Sequence, residues 1–540
     1  MRAHGARWPR SVSRSKLRRA SSAATARLPA AASIAEAAPA VLVVGTAAVA
    51  FAWHAAMGLR RAEGLTNGAF DQAYFQQLVW SLGQGQGLRS SFNPGEFLGL
   101  HFSPLLAVPA LLQPLWPDAR LLGLLQAAAL AALAPAAYLF LRALLRPARE
   151  ASWLAAALAL PIPFWAVAQQ ATRASFHTES LALPLILVAG WAGLTGRTVI
   201  LFGAALLALG AKEDQVYPVA VMGLAVAARA PGPLASGMRR AGVMLLALSV
   251  GWAVATFGLL MPALRAGAVY DIDRYYAWLG GGANILRAPF VQTEAVIAAL
   301  TRPEGWLVVI GLIVSLGALP LLRPRWAVLM LPPTVAHLLS RQEPQPQLLL
   351  QYGLLLVVPA IVAGGFGGRR LLALSLRYRR KRGARGRSST MSAAQRLTAG
   401  RPARPLRARA VTAMMVLALV TPAVAIAFER GSVPPFSWRE QGAWNRPAAL
   451  TRLLSATSII PADAPITADS GVAPALANRR RIEVFPSASA DAFVVVDGEA
   501  YVTGLLRWRD RAAWLDGLAS SGRRLLVDDG RFQVWAPLDE

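Results

Sequence analysis

The chain is divided into about eleven apolar stretches, most of them near the length that crosses a hydrocarbon layer about 30 Å thick. They read as 37–58, 119–141, 152–169, 179–195, 198–211, 216–229, 241–262, 304–322, 326–340, 349–367 and 410–428. Inside lipid each backbone N–H and C=O must pair within its own segment, so such stretches have to be helices. The fold class that follows is mostly α, a polytopic transmembrane helical bundle. Composition agrees: 55% of residues are apolar and 15% charged, against roughly 25% charged in soluble chains.

The net charge of +27 would suit a nucleic-acid partner were it not for its placement. Seven basic residues precede residue 20 and fourteen lie between Arg369 and Arg409, and the remainder mostly cap short loops. Charge distributed in this way sets topology and attracts anionic headgroups, and no nucleic-acid module accompanies it. The partners implied are membrane lipids and no nucleic acid. With the basic N-terminus in the cytoplasm, Arg142, Arg146, Arg149, Arg197, Arg229, Arg239, Arg240, Arg323 and Arg325 all fall on the cytoplasmic side. Asp71, His101, His177, Glu179 and Lys212-Glu213-Asp214 then converge on the outer side. Buried ionisable groups cost about 3 kcal/mol each at a helix centre, so seven on one face read as a site. The expected location is the cell (plasma) membrane, multi-pass, with the C-terminal part extracytoplasmic.

Five regions follow. Residues 1–36 form a basic cytoplasmic tail. Residues 37–368 form the transmembrane core, with a first outer loop at 59–118 whose segment 103–117 lies along the interface. Residues 369–409 read as a mostly disordered Arg-rich cytoplasmic linker, and 410–428 as the last span. In 429–540 hydropathy falls, and ITAD, RIEVFP, AFVVVD, RRLLVDD and RFQVWAP are strand-like runs around helical VAPALAN and RDRAAWLDGLASSG. A small C-terminal α/β domain is expected there.

Chemistry is carried by few groups. The chain has no cysteine, which excludes disulfides and thiolate sites. It also lacks a zincin motif, a nucleophile elbow and a phosphate-binding loop in a credible setting. In Phe70–Gly87, Tyr74, Leu78 and Leu82 share a helical face, and Asp71 in the first turn is either a cap or a functional carboxylate. His101 stands at an interface, His177 and Glu179 precede a span, and Lys212-Glu213-Asp214 fills a short outer turn. Glu213 and Asp214 with the two histidines offer oxygen and imidazole ligands to a divalent metal, as a possible cofactor. Arg274 and Tyr275, with Tyr276 and Trp278, join a cation to aromatic rings, which suits sugars, phosphates or an interface.

These stretches taken in order resemble a known family. FDQAYFQQLVW (with Asp71, Gln77 and Trp80), HFSP, FHTESLALP, KED and RYYAWLG resemble motifs of the bacterial and archaeal predicted membrane proteins called domain of unknown function 2079. IIPADAPITADSGVAPALANRRRIEVFP and DAFVVVD in the tail do so too. Members often carry a His-Tyr pair before the tenth span, where this chain has Gln351-Tyr352. That family in turn resembles the GT-C glycosyltransferases, which carry a carboxylate in a long first outer loop. The resemblance implies a transfer of sugar from a polyprenyl-phosphate donor at the outer leaflet. Asp71 would be the catalytic carboxylate, and Gln77, Trp80, His101, His177, Glu179, Lys212, Arg274 and Tyr275 would contact substrate. Lys212, Arg173 or Arg274 would supply charge to the leaving phosphate.

Two other readings stay open. A transporter or flippase of a lipid-linked substrate needs ionisable residues at mid-membrane in broken helices, whereas here they cluster at span ends. A non-catalytic membrane scaffold would present its outer domain to a partner.

Overall fold

The computed structural model describes residues 30–387 and 444–538, apart from short pieces at 94, 148–149, 230–234, 266–270, 281–283, 285–286 and 502–507. Among these residues five helices are long and apolar enough to cross a membrane: Ala37–Glu63, Arg120–Leu145, Ala151–Arg173, Ser236–Arg265 and Tyr352–Tyr378. A sixth span arises if Thr293–Leu300 and Pro303–Ser315, bent by 44°, are taken as one. The expectation of about eleven is corrected by length. Glu179–Thr195 and Thr198–Leu209 have 17 and 12 residues, so at 1.5 Å per residue they fall short of a ~30 Å core. Stretch 326–340 is cut into Pro324–Ala327, Val328–Met330 and Leu331–Leu338, with Pro332 and Pro333 opening the last piece. The expected span 410–428 lies outside the described residues. At 369–387, read as linker, the helix Val357–Arg387 instead continues unbroken.

The Arg120–Leu145 and Tyr352–Tyr378 helices lie at the centre, with 67% and 78% of their apolar windows buried. Phe140, Leu141, Leu144, Ile186, Met222, Val358 and Ile361 belong to their common core. Ser236–Arg265 is peripheral, and Val243, Met244, Val250 and Val254 on it face outward, as lipid-facing side chains do. Backbones approach where glycine permits. A Cβ on Gly367 would stand 1.9 Å from the Leu319 carbonyl oxygen, and backbone cannot yield as a side chain can. We expect Gly367→Ala to lower stability by about 1–3 kcal/mol or more through overpacking. Gly203→Ala, which meets nothing within 4 Å, serves as the control. Equal thermal unfolding of the two purified variants would contradict this packing.

The two ends of the bundle differ in charge. Arg229 donates to the carbonyls of Leu144 and Arg146, and Arg369 lies within electrostatic reach of both Arg229 and Arg323. Gln126, on the same central helix as Leu144, stands at the opposite end, roughly 27 Å away at 1.5 Å per residue. That separation is close to one hydrocarbon thickness.

The C-terminal domain holds a five-stranded sheet of β1 (Ile466–Ala468), β2 (Ile482–Val484), β3 (Phe493–Asp497), β4 (Leu525–Asp528) and β5 (Phe532–Trp535), in the order β2-β1-β3-β5-β4. β1 pairs in parallel with β2 and β3, and β5 pairs antiparallel with β3 and β4. Its core takes in Leu65, Ala69 and Ala73 of the 59–118 loop beside Ile466, Ala468 and Val472. The Ala69 N–H donates to Ser470 Oγ at 3.0 Å, Gln76 Nε2 to Asn478 Oδ1 at 2.7 Å, and the Ala449 N–H to the Glu63 carbonyl at 2.8 Å. The domain is therefore seated on the segment that carries Asp71.

Candidate functional site

Asp71 lies in a π-helical turn, Ala69–Ala73, that leads into the helix Tyr74–Gly83. Single π-turns inside helices are frequent at functional sites. Gly68 is the N-cap of this turn and no side chain bonds there, so Asp71 is not a cap. Its carboxylate is 43% exposed, and Oδ1 lies 3.4 Å from Nε2 of the buried His177. Behind it the aromatic rings of Phe75 and Phe176 pack edge to face at 5.5 Å.

The loop bearing His177 is held by two buried glutamines. Gln126 Nε2 donates to the carbonyls of Ala171 and Ser175, and Gln126 Oε1 accepts from the His177 N–H at 2.8 Å. Gln72 Oε1 accepts from the Phe176 N–H at 3.1 Å. Ser175 sits at φ 69, a strained region for a residue with a Cβ, which persists where the surroundings impose it. Glu179 opens the helix Glu179–Thr195, where the helix dipole favours a carboxylate. It receives Lys212 Nζ at 2.5 Å, and Asp214 Oδ2 lies 3.8 Å from the same ammonium. On the next residue the chain turns away: Glu213 accepts from His101 Nδ1 at 2.9 Å and from the Phe102 N–H at 3.0 Å.

Five expected residues, Asp71, His177, Glu179, Lys212 and Asp214, thus form one cluster, with Glu213 and His101 tied to its edge. Tyr352 lies within electrostatic reach of Asp71, Glu179, Lys212 and Tyr275, which brings Tyr275 to the margin. Arg274 is exposed on the short helix Asp271–Tyr275, and Arg173 is half-buried at the end of Ala166–Arg173. Gln77 and Trp80, expected at substrate, face the C-terminal domain. Gln77 Nε2 donates to Ser91 Oγ and to the Arg479 and Arg480 carbonyls, while Oε1 accepts from Ser90 and Ser91. Among the described residues no three His, Asp or Glu side chains are grouped as a metal site. Glu213 and Asp214, the expected ligands, are adjacent in sequence but aim at different partners, His101 and the Phe102 N–H for one and Gln215 and Lys212 for the other. Sequence reasoning missed Gln72, Gln126 and His337. His337 is buried, its ring stands 5.7 Å from that of Tyr352, and its Nε2 has no hydrogen-bond partner among the described residues. A polar residue inside an apolar stretch is the signal that could have found each of them.

Burial alone would pull His177 below the usual imidazole range, but the carboxylates of Asp71 and Glu179 outweigh it and raise it. Burial likewise acts against Lys212, yet Glu179, Asp214 and Glu213 hold it charged, well above the usual lysine range. Burial pushes Glu213 up, and His101 more than reverses that. Asp214 is the exception: burial raises it to about 6 in spite of Lys212. A carboxyl raised on folding contributes stability that is lost as pH climbs from its unfolded value of about 4 toward 6. The stability advantage of Asp214→Asn over the wild-type chain is expected to grow across that window and level off above about pH 7. Thermal unfolding at a series of pH values checks it, and a difference that ignores pH or shrinks with rising pH contradicts it.

An apolar helical bundle with a polar cluster at one end and arginines at the other defines the class, an integral membrane protein. Residues 61–494 match the predicted membrane protein family DUF2079, and the chain belongs to that family. No curated protein matches it. Among solved structures, ArnT from Cupriavidus metallidurans bound to undecaprenyl phosphate is similar at 12% identity and a TM-score of 0.48, over 92% of this chain and 98% of that one. The apo form of ArnT gives 14%, 0.44, 93% and 98%. The archaeal oligosaccharyltransferase AglB from Archaeoglobus fulgidus, in complex with an inhibitory peptide and a dolichol-phosphate, gives 12%, 0.37, 83% and 69%.

Proposed function

We propose that this protein transfers a sugar from a polyprenyl-phosphate donor to a hydroxyl-bearing acceptor on the outer side of the membrane. The observation that carries the reading is the half-exposed Asp71 carboxylate held by buried His177 beside the Lys212–Glu179 pair. Asp71 accepts the proton of the acceptor hydroxyl, and the resulting oxygen attacks the anomeric carbon of the donor sugar. The bond from that carbon to the phosphate oxygen breaks, and polyprenyl phosphate departs with the electron pair. General-base assistance of this kind contributes about 10²–10⁴ in rate. His177 orients the carboxylate from behind, much as a hydrogen-bonded partner fixes a catalytic base.

The cluster holds four carboxylates against one ammonium and two imidazoles, so Lys212 alone does not make it attractive to a phosphate. Arg274 and Arg173, on segments near the margin, complete the positive side of the donor site in this reading. The apolar chain of the donor lies against the outward-facing helices.

Cells from which the gene is deleted provide the test. A polyprenyl-phosphate sugar should accumulate while one sugar-bearing envelope component disappears. Unchanged lipid and envelope glycan profiles would count against the proposal.

A further inference from the structure

A second pocket lies on another part of the same loop. Its volume is about 430 Å³, inside the range of small-ligand sites. One wall comes from the 59–118 loop, with Trp80, Gln86, Arg89 and Ser91, and the other from Arg479 and Arg480 just before β2. The walls are fixed to each other. Ser91 Oγ donates to the Ile482 carbonyl at 2.7 Å and accepts from the Ile482 N–H at 2.9 Å, and Gln77 ties the floor to the Arg479 and Arg480 carbonyls. Trp80 is nine residues beyond Asp71, roughly 13 Å along a helix and on its opposite side, so this pocket is separate from the Asp71 cluster.

The lining contains no aliphatic side chain, which favours a polar occupant over a prenyl or acyl chain. It offers instead an indole face, hydroxyls, amides and guanidinium groups. Charge is unbalanced. Glu96 is already paired with Arg89 at 3.1 Å, Arg479 donates to the carbonyls of Leu476 and Ala464, and Arg480 is exposed without a carboxylate partner among the described residues. An aromatic plane suits the C–H face of a sugar ring. Planar polar groups suit its hydroxyls, and an uncompensated guanidinium suits a carboxylate, which it can grip in a fork.

We propose that this pocket binds an acidic saccharide, a sugar unit bearing a carboxylate, stacked on Trp80 and paired with Arg480. Such a site would hold one unit of an extended glycan at the membrane surface, and it does not depend on the chemistry at Asp71. The test is titration calorimetry of the full chain in nanodiscs with a hyaluronan tetrasaccharide, neutral chitotetraose and tetraglutamate. The acidic saccharide should bind saturably. Loss of one charge-assisted contact in Arg480→Ala should weaken it by about tenfold, and charge reversal in Arg480→Glu by more. Arg480 is exposed, so these variants should fold, whereas Trp80→Ala adds loss of the stacking face. Four results would overturn the proposal: no saturable binding, equal binding of chitotetraose, equal binding of tetraglutamate, or unchanged affinity in both Arg480 variants. Since the readout is binding, failure here leaves the transfer reaction untouched.

Discussion

Asp71→Asn is expected to abolish transfer from a polyprenyl-phosphate sugar while leaving the fold in place. Asparagine keeps the shape of the side chain and a hydrogen bond to His177, but its amide cannot take a proton from an acceptor hydroxyl. A base contributes about 10²–10⁴ in rate, so residual product should fall near background. The pair is partly exposed, with Asp71 at 43%, and such pairs are worth about 1 kcal/mol or less. Thermal unfolding should therefore hardly move. The check is product formation by purified wild-type and variant protein, with melting curves of both. Normal turnover by the variant removes Asp71 from the chemistry, and gross unfolding removes the claim that its role is catalytic rather than structural.

Lys212→Met should have the largest effect on stability among single changes at the site. It would leave Glu179, whose side chain is 7% exposed, buried without its ammonium partner. Breaking a buried pair from one side costs about 3–5 kcal/mol, whereas replacing both members by neutral groups is often much milder. The double variant Lys212→Met with Glu179→Gln should thus recover much of the loss. Melting curves of the two variants decide the matter. A single variant as stable as wild type, or a double variant worse than the single, would show that the two charges do not depend on each other.

Much of this cluster is legible in sequence because rare ionisable residues stand out among apolar stretches. Asp71, His177, Glu179 and Lys212 could be placed on one side by charge alone, and the structure brings them together. What remained illegible depends on direction and distance rather than residue type. Glu213 and Asp214 look like a ligand pair, yet the backbone sends one to His101 and the other to Gln215 and Lys212. Gln77 looks like a substrate contact, and its partners here are Ser90 and Ser91 of its own loop and main-chain groups some 400 residues later. The span count failed where apolar runs such as 198–211 are too short to cross, since hydropathy does not distinguish a buried short helix from a span. The strand-like runs of the tail, by contrast, each contain one of the five strands, because β-branched and aromatic runs between turns are a local signal. His337 itself stands out as a polar residue in an apolar stretch, but its packing on Tyr352 joins separate segments and leaves no local signal.

The most direct test of the central claim is photo-labelling of the purified protein with a diazirine-bearing polyprenyl phosphate, followed by peptide mapping. Label should appear within residues 66–80 and 174–215, around Asp71, His177 and Lys212, and unlabelled polyprenyl phosphate should compete it away. Label confined to other segments, or undiminished by the competitor, would contradict the account.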